Sequence, residues 1–423
     1  MSEAGSAADA APRRRVAHLD MDAFYASVEL LRYPELAGLP LVIGGRRRRA
    51  SGEPAAAGNH PRLRDYAGRG VVTTATYAAR PFGVHSGLGL MKAAKLCPDA
   101  ILLPADFDEY RRCSRAFKEV ITGITPVMED RGIDEVYIEF TGVPGVEADG
   151  GRALAQRLQQ AILERTGLGC SIGVAPNKLL AKLASELHKP RGITLLFDSD
   201  LAMKIWPLPC RRLNGIGPKA AERLEALGIR SIGELASAGP ALLVTQFGAH
   251  YGAWLHEAAH GRDDRPVVTF SEPKSISRET TFERDLHAVR DRATLTPLLT
   301  GLCVALAGDL ARKGYASKTI GIKLRFDNFK IVTRDLTLPA HTMDARSIRR
   351  AAGECLKRID LTRRLRLLGV RAGALAKLAD LVKPAVTPDP AATVACEPAA
   401  SYDLPLFDAP EAAPCDNDGR RAH

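Results

Sequence analysis

Short apolar runs alternate with helical patterns through the first half of the chain. Residues 16–19 are apolar apart from His18 and predict a buried strand, and residues 23–31 have the spacing of a helix that leaves it. A β-rich run at 132–140 follows residues 125–130, which we predict to be its hairpin partner. Residues 170–185 pass from a strand into an Ala/Leu-rich helix. Together these patterns predict an α/β (α+β) fold.

The rest of the chain continues this mixture. We predict strands at 39–45, 70–76 and 320–330, and helices at 110–124, 153–165, 292–313 and 347–359. The two earlier helices would cover one face of a sheet. The strand at 320–330 alternates apolar and polar positions, which predicts a half-buried strand with its basic residues on one face.

Composition narrows the class of protein. A length of 423 residues suggests about three domains, and a hydrophobic content of 46% is ample for packed cores. We find no apolar run long enough to span a bilayer and no secretion signal in residues 1–12, which we expect to be a disordered lead. The eight cysteines form no CxxC pair and show no zinc spacing, which indicates reduced cytosolic thiols.

The basic charge is concentrated in one segment. Residues 267–380 contain 22 Lys/Arg and 12 Asp/Glu, so this segment alone accounts for the net charge of +10 of the whole chain. Such a segment suits a polyanion. An ordinary solvated surface would explain the charge equally well.

Acidic residues stand at the ends of the predicted strands. Asp20 and Asp22 follow the first strand, Asp134 and Glu135 interrupt the run at 132–140, and Lys178 stands at the start of a helix. Carboxylates in such positions suit a hard cation such as Mg²⁺. A single Asp-x-Asp would be explained as well by helix capping, so the indication depends on the segments acting together.

Taken in this order, the segments resemble the Y-family DNA polymerases, most closely the DNA polymerase IV (DinB-like) branch. The resemblance covers residues 13–380. It implies a multidomain right-hand polymerase with palm, fingers, a helix-hairpin-helix thumb and a C-terminal α/β little finger. The implied boundaries are palm 13–22 and 97–191, fingers 23–96 with a loop insertion at 46–69, thumb 192–264, little finger 267–380, and a disordered tail 381–423.

The resemblance also implies the catalytic residues. Asp20, Asp134 and Glu135 would hold two Mg²⁺ ions, with the Met21 carbonyl oxygen as a further ligand. Asp22 would cap the helix or support the site. Arg46 to Arg69 replaces a turn that is usually much shorter, and we expect it to be a flexible, solvated loop without a role. Contact of the Arg46 to Arg49 cluster with DNA is the alternative.

Nucleotide binding is implied for four residues: Thr74, Tyr77, Arg80 and Lys178. The guanidinium of an arginine suits phosphate because it donates two parallel hydrogen bonds. Tyr25, the second aromatic residue after Asp22, matches the steric gate that meets a ribose 2′-hydroxyl.

Two further segments match the family's contacts with DNA. Residues 213–224 resemble a helix-hairpin-helix, in which backbone N–H groups approach phosphates and select no sequence. The candidate DNA-binding residues are Gly215, Gly217 and Lys219 there, and Lys274, Arg278, Lys323 and Arg325 in the little finger.

The tail contains one apolar cluster, at 402–407. Its residues Leu404, Leu406 and Phe407 resemble the peptide with which bacterial polymerases bind the sliding clamp (β subunit). Asp403 departs from that pattern, which prefers Gln. An apolar cluster without a function remains the alternative.

The sequence therefore predicts a template-directed DNA polymerase of low fidelity for translesion synthesis and DNA repair. It would use primer-template DNA and dNTPs, lack proofreading, and act as a monomer in the bacterial cytoplasm. Two other classes stay open on the residues alone. An inactive DNA-bound adaptor would not need the carboxylates, and a helix-hairpin-helix nuclease or glycosylase would leave Tyr77, Arg80 and Lys178 without a role.

Overall fold

The chain forms two compact units that divide between Ser271 and Glu272. The computed structural model describes residues 13–45 and 60–381. The predictions for residues 1–12, 46–59 and 382–423 lie outside this part of the chain, and so does the prediction of a clamp-binding peptide.

The first unit is built on two sheets with helices around them. Its strands are β1 (Val16–Met21), β2 (Leu41–Gly44), β3 (Val72–Ala75), β4 (Ile101–Leu103), β5 (Met128–Asp130), β6 (Glu135–Glu139), β7 (Cys170–Ala175) and β8 (Ile193–Leu195). Its helices are α1 (Phe24–Arg32), α2 (Leu90–Leu96), α3 (Phe107–Ile124), α4 (Val146–Asp149), α5 (Arg152–Thr166), α6 (Lys178–Leu187), α7 (Pro218–Ala226), α8 (Ile232–Ser237), α9 (Pro240–Phe247) and α10 (Ala249–Ala259).

A five-stranded sheet positions the acidic residues. Its strand order is β5-β6-β1-β7-β8, with β1 antiparallel to both neighbours. β7 is buried throughout and β1 is buried at every position except Asp20, which agrees with their mainly apolar sequences, because both strands are central and covered on both faces. The predicted hairpin of β5 and β6 is confirmed.

A smaller sheet of order β3-β2-β4 follows in the chain between the acidic segments. The prediction of a flexible loop at 46–69 is wrong for its second part. Leu63 is fully buried, and the backbone N–H groups of Leu63 and Arg64 donate to the carbonyls of Ala100 and Pro98. An apolar side chain with a place in the core fixes this stretch, which composition alone does not reveal.

Helix α6 starts where the sequence predicted. The Asn177 side chain accepts from the Leu180 N–H at 3.0 Å, which satisfies one of the free donors of the first turn. Its amide nitrogen donates to the Gly261 carbonyl at 2.7 Å. The cap thus also attaches α6 to the segment after α10.

The second unit is a four-stranded antiparallel sheet covered by helices on one face. Its elements are β9 (Ser275–Leu286), α11 (Arg292–Lys313), β10 (Tyr315–Phe326), β11 (Ile331–Thr342), α12 (Ala345–Lys357), β12 (Leu365–Lys377) and α13 (Leu378–Leu381), and the strand order is β11-β10-β12-β9. The predicted strand at 320–330 ends at Phe326. Residues 327–330 turn instead, with Phe329 at φ 65°.

Helix α11 tests the expectation that no segment could cross a membrane. Within the described residues it is the one helix whose length and apolar composition would suffice, so the statement from sequence was too strong. Leu295, Leu299 and Leu306 are fully buried in the core of this unit. Packing on the sheet therefore accounts for part of the apolar character of α11, whose apolar window is 33% buried.

Six cysteines lie in the described part of the chain, and all six are buried free thiols. Burial raises the pKa of each of these thiols. Their distribution through both units agrees with the expectation of a reduced protein.

Candidate active site

Two antiparallel strands bring the three predicted carboxylates together. Asp20 near the end of β1 is paired directly with Glu135 at the start of β6. The Met21 N–H donates to the Asp134 carbonyl at 3.0 Å, which places Asp134 beside the same strand end. Residues 114 positions apart in sequence thus meet because of the register of β1 on β6.

The surroundings of Asp20 and Asp134 disfavour the charged form of both carboxylates. Burial raises the pKa of Asp20 to about 6, although the Lys189 ammonium acts in the opposite direction. Burial also raises the pKa of Asp134, and the negative charge of Glu135 raises it further. The charge of Asp134 in turn raises the pKa of Asp20. Such mutual repulsion requires carboxylates that lie close together.

Two lysines partly neutralise the cluster. The Lys189 Nζ donates to Asp20 Oδ1 and lies 2.8 Å from Glu186 Oε1. Burial opposes the charge of Lys189, but the two acids prevail and raise its pKa. The Lys182 Nζ donates to Glu135 Oε2.

Glu135 has a second partner in His18. The imidazole of His18 is fully buried, with Nε2 3.3 Å from Glu135 Oε2 and Nδ1 2.8 Å from Ser185 Oγ. Burial lowers the pKa of His18 to about 4, so the ring is neutral at pH 7. The hydrogen bond with His18, followed by the Lys182 contact, lowers the pKa of Glu135 to about 2 despite burial.

The donor set fits a hard cation. Asp134 has no hydrogen bond or ion pair with another side chain of the described residues. Its carboxylate lies near those of Asp20 and Glu135, and carboxylate oxygens are ligands that Mg²⁺ prefers. No group of three or more His, Cys, Asp or Glu residues within 13–45 and 60–381 is arranged so that it could hold a metal ion. The lysine contacts of Asp20 and Glu135 explain this, because they occupy oxygens that a cation would use.

Asp22 does not cap α1. Ala23 occupies the N-cap position with φ 45°, and no side chain caps the helix. Asp22 is buried instead, and its carboxylate accepts hydrogen bonds from Tyr77, Ser171 and the Arg191 backbone. Of the two roles predicted for it, support of the site agrees with these contacts.

The segment after β3 presents the predicted phosphate-binding pair. The Arg80 guanidinium lies over the Tyr77 ring, 4.2 Å from its centroid, and Arg80 itself is exposed. Burial, with the nearby charge of Asp22, raises the pKa of Tyr77 to about 12, so its hydroxyl keeps its proton. Thr74 is buried within β3 and pairs with Ile43.

Lys178 is not brought to the carboxylate cluster. Its Nζ is 2.5 Å from Glu129 Oε2, 3.2 Å from the Pro266 carbonyl and 4.8 Å from the centre of the Tyr137 ring. The Lys178 side chain is 6% exposed and is therefore committed to this buried pair. Lys189, which the sequence analysis did not name, occupies the position beside Asp20 instead.

Tyr25 is held by an aromatic cluster. Its ring stacks on Tyr110 at 4.4 Å between centroids and meets Phe107 edge-on at 5.8 Å. The Tyr110 hydroxyl donates to buried Glu29 at 2.9 Å. A ring packed on two sides in this way cannot easily turn aside, as a steric gate requires.

The predicted hairpin for DNA lies before α7. Gly215 has φ 116°, and a Cβ there would meet the Trp254 ring at 2.5 Å, so only glycine fits. Gly217 is the N-cap of α7, and Lys219 in its first turn is exposed. A cleft of about 530 Å³ runs between this hairpin and Glu135. Its basic lining residues are Arg131, Lys178, Lys182 and Arg265.

In the second unit the candidate DNA-binding residues separate into two groups. Lys323 and Arg325 alternate with buried Ile322 and Leu324, so both lie on the open face of the sheet. Arg278 lies on the helix-covered face and donates to Asp309 of α11 through two nitrogens. Lys274 is exposed just before β9.

A glycine lies between the charged side chains on the open face of this sheet. Lys323 pairs with Thr333 of β11 and with Gly369 of β12, and Gly369 pairs in turn with Glu279 of β9. Lys323 Nζ donates to Glu279 Oε2 at 2.8 Å across that glycine. The face therefore combines positive charge with a shallow groove, which suits a phosphate backbone.

Sequence reasoning missed three residues of the cluster: His18, Lys182 and Lys189. The available signals were a histidine two positions before Asp20 inside a mainly apolar strand, a lysine on α6 and a second lysine just after that helix. Nothing in the sequence indicated which lysine would face which acid.

Comparison with known proteins gives matches along most of the chain. The model of the impB/mucB/samB family matches residues 19–186, that of the IMS family HHH motif residues 198–229, and that of the impB/mucB/samB family C-terminal domain residues 273–382.

Individual relatives agree. A DNA polymerase IV of Caulobacter vibrioides is 38% identical over 81% of this chain and 78% of its own length. One from Methanoculleus marisnigri is 37% identical over 86% of this chain and 94% of its own. Among solved structures, a Y-family DNA polymerase chimera of Dbh and Dpo4 matches with a TM-score of 0.71 and 26% identity, over 85% of this chain and 98% of the chimera.

Proposed function

The chain belongs to the impB/mucB/samB family, the Y-family DNA polymerases of the DNA polymerase IV branch, and from this premise we propose how its residues carry out the reaction. It is a DNA-directed DNA polymerase for translesion synthesis and a metal-dependent nucleotidyltransferase. Its substrates are primer-template DNA and dNTPs.

The observation that supports the catalytic assignment is the register of β1 on β6. It sets Asp20 opposite Glu135 and bonds the backbone of Met21 to that of Asp134. We assign Asp20, Asp134 and Glu135 as the ligands of two Mg²⁺ ions, with the Met21 carbonyl as an additional ligand. Mg²⁺ bound there would lower the pKa of the primer 3′-hydroxyl and balance the charge of the departing pyrophosphate.

The protein's own part in the reaction is positioning and charge. Arg80, carried on the Tyr77 ring, and Lys189, whose ammonium lies beside Asp20, would bind the triphosphate. Lys189 takes the place that the sequence gave to Lys178, because the Lys178 ammonium is buried against Glu129. Tyr25, backed by Tyr110, would exclude the 2′-hydroxyl of a ribonucleotide.

The remaining assignments follow the family architecture. We propose a palm at 13–22 and 97–191, fingers at 23–96, a thumb at 192–264 and a little finger at 267–380. The hairpin with Gly215 and Gly217 and the open sheet face with Lys323 and Arg325 would bind the phosphate backbone of the duplex without reading its sequence.

Primer extension tests the catalytic assignment. The chain, a labelled primer-template, one dNTP and Mg²⁺ should give extension by one nucleotide, and EDTA should stop it. Asp20→Asn and Glu135→Gln should each lower the rate by more than about a thousandfold, as loss of a metal ligand does in such sites. Asp108→Asn is the matched control, because Asp108 is almost fully exposed and pairs only with Arg111. Full activity of Asp20→Asn would disprove the assignment.

Lack of proofreading is tested separately. We propose that the polymerase does not excise nucleotides from the primer end, because the carboxylates we assign form a single cluster, which serves nucleotide addition. A mismatched primer end incubated with Mg²⁺ and no dNTP should keep its length, and shortening that survives Asp20→Asn would reveal a second active site. We further propose that the chain acts as a monomer and, from its bacterial DNA polymerase IV relatives, that it acts in the cytoplasm.

A further inference from the structure

Asp22 connects three separate segments of the first unit through one buried carboxylate. Its Oδ1 accepts from the Ser171 hydroxyl at 2.8 Å and from the Tyr77 hydroxyl at 3.2 Å. Its Oδ2 accepts from the Arg191 N–H at 2.7 Å. The residue is 5% exposed, and no cation contacts it among the described residues. These three hydrogen bonds therefore hold the carboxylate in place.

Two of these donors belong to segments that carry phosphate-binding groups. The Tyr77 ring supports the Arg80 guanidinium at 4.2 Å. Arg191 follows Lys189 by two residues, and the Lys189 ammonium lies beside Asp20. The third donor, Ser171, lies on β7 and carries no such group.

The loop after Lys189 needs a fixed support. Arg191 has φ 57°, a left-handed conformation that costs free energy for a residue with a side chain. Gly192 follows with its Cα against the His188 carbonyl, where a Cβ would approach to 2.1 Å. The hydrogen bond from Arg191 N–H to Asp22 holds this tight loop against the strand end that bears Asp20.

We propose that Asp22 is a positioning residue for the incoming nucleotide: it holds Tyr77, with Arg80 on it, and the loop that bears Lys189 in fixed places around the triphosphate. This inference rests on the proposed function of the site. It gives Asp22 no contact with the substrate. The carboxylate acts through the residues it holds.

The substitution Asp22→Asn tests this with little change of shape. The amide offers one acceptor atom and places an NH₂ group against donors, so at least one of the three hydrogen bonds is lost. We expect KM for the dNTP to rise about tenfold, while kcat and Kd for primer-template change less than about threefold. Amide hydrogen exchange at Arg191, measured without DNA or nucleotide, should become faster.

Ser171→Ala is the matched control. It removes a hydrogen bond from the same carboxylate oxygen without touching a phosphate-binding segment, so it should lower Tm while KM stays within about twofold of the parent. If Asp22 were merely structural, both variants would lower Tm and neither would raise KM.

Two double-mutant cycles test the two connections. Because Asp22 acts through Tyr77 and Lys189, Asp22→Asn should raise KM less in a Tyr77→Phe or Lys189→Gln background than in the parent chain. Fold-changes that multiply in both backgrounds would overturn the proposal.

Other outcomes are also decisive. A parent chain that extends primers, with an unchanged KM in Asp22→Asn, refutes the role of Asp22 and leaves the polymerase assignment intact. A parent chain that extends nothing refutes the proposed function itself. If Asp22→Asn does not fold, Tyr77→Phe and Ser171→Ala give the same comparison, since each removes one donor from Oδ1. Only Tyr77→Phe should then raise KM, and equal KM values would overturn the proposal.

Discussion

Asp134 and Glu135 are adjacent acids with opposite relations to their surroundings. Glu135 is bonded by Lys182 and by His18. Asp134 is partly buried without a side-chain partner in the described part of the chain, and burial raises its pKa. Without metal, Glu135 therefore stabilises the fold, whereas Asp134 destabilises it.

This difference predicts opposite effects on stability. In EDTA, Asp134→Asn should leave Tm unchanged or raise it by up to about 3 °C, because a buried charge is removed. Glu135→Gln should lower the free energy of unfolding by about 1–3 kcal/mol, because hydrogen bonds to a charged group are lost. Scanning calorimetry measures both, and a marked drop in Tm for Asp134→Asn would make Asp134 a structural residue.

Sugar selection is a second prediction for a single residue. Tyr25→Ala removes the ring that faces the 2′-hydroxyl, so the preference for dNTP over rNTP in kcat/KM should fall by at least about a hundredfold. Tyr110→Phe is the control. It keeps the stacked ring and loses only the hydrogen bond to Glu29, so Tm should fall while sugar preference is kept. Unchanged discrimination in Tyr25→Ala would refute the gate.

Lys178 and Lys189 show how far the sequence predicts the candidate active site. The acids could be named because strand ends are visible in the apolar pattern, and β1 and β6 were expected. Lys178 was assigned to the nucleotide through the family resemblance, whereas the fold directs it to Glu129 and directs Lys189 to Asp20. Which of two lysines meets a given acid depends on the orientation of α6 against β1 and on the loop after it. The local pattern of apolar and polar residues predicts neither the orientation of α6 nor the path of that loop.

At the scale of elements, β10 and β9 show that basic side chains on the two faces of a sheet have different environments. On β10 the alternation of Lys323 and Arg325 with apolar residues was readable in the sequence and is confirmed by burial. On β9 the neighbouring Arg278 appeared equally suitable for DNA. Its side chain lies on the other face, where Asp309 holds it. Only the register of β9 on β12 distinguishes the two cases.

The two faces predict different consequences for substitution. Lys323→Ala should weaken binding to primer-template DNA of any sequence and reduce the slope of log K against log salt by about 1. Arg278→Ala should leave that slope unchanged and lower stability instead, by about 1 kcal/mol, because buried Asp309 loses a partner. A salt titration of DNA affinity with both variants checks this, and equal slope changes would contradict the assignment of faces.

The whole molecule carries one prediction that lies outside the described residues. We propose that the tail binds the sliding clamp through Leu404, Leu406 and Phe407. Deletion of residues 400–423 should abolish stimulation by the clamp and spare extension without it. Asp403→Gln, which restores the usual residue, should strengthen the stimulation. A truncated chain that responds to the clamp like the full chain would rule the proposal out.

The buried cysteines have a consequence for the conditions in which the enzyme works. Oxidants and alkylating agents that damage template bases also attack sulfur, and they react with the thiolate far faster than with the thiol. The six thiols of residues 13–45 and 60–381 are enclosed and held in the protonated form. A reagent that creates lesions in the template should therefore find little to react with on the sulfur atoms of this part of the enzyme that copies past them.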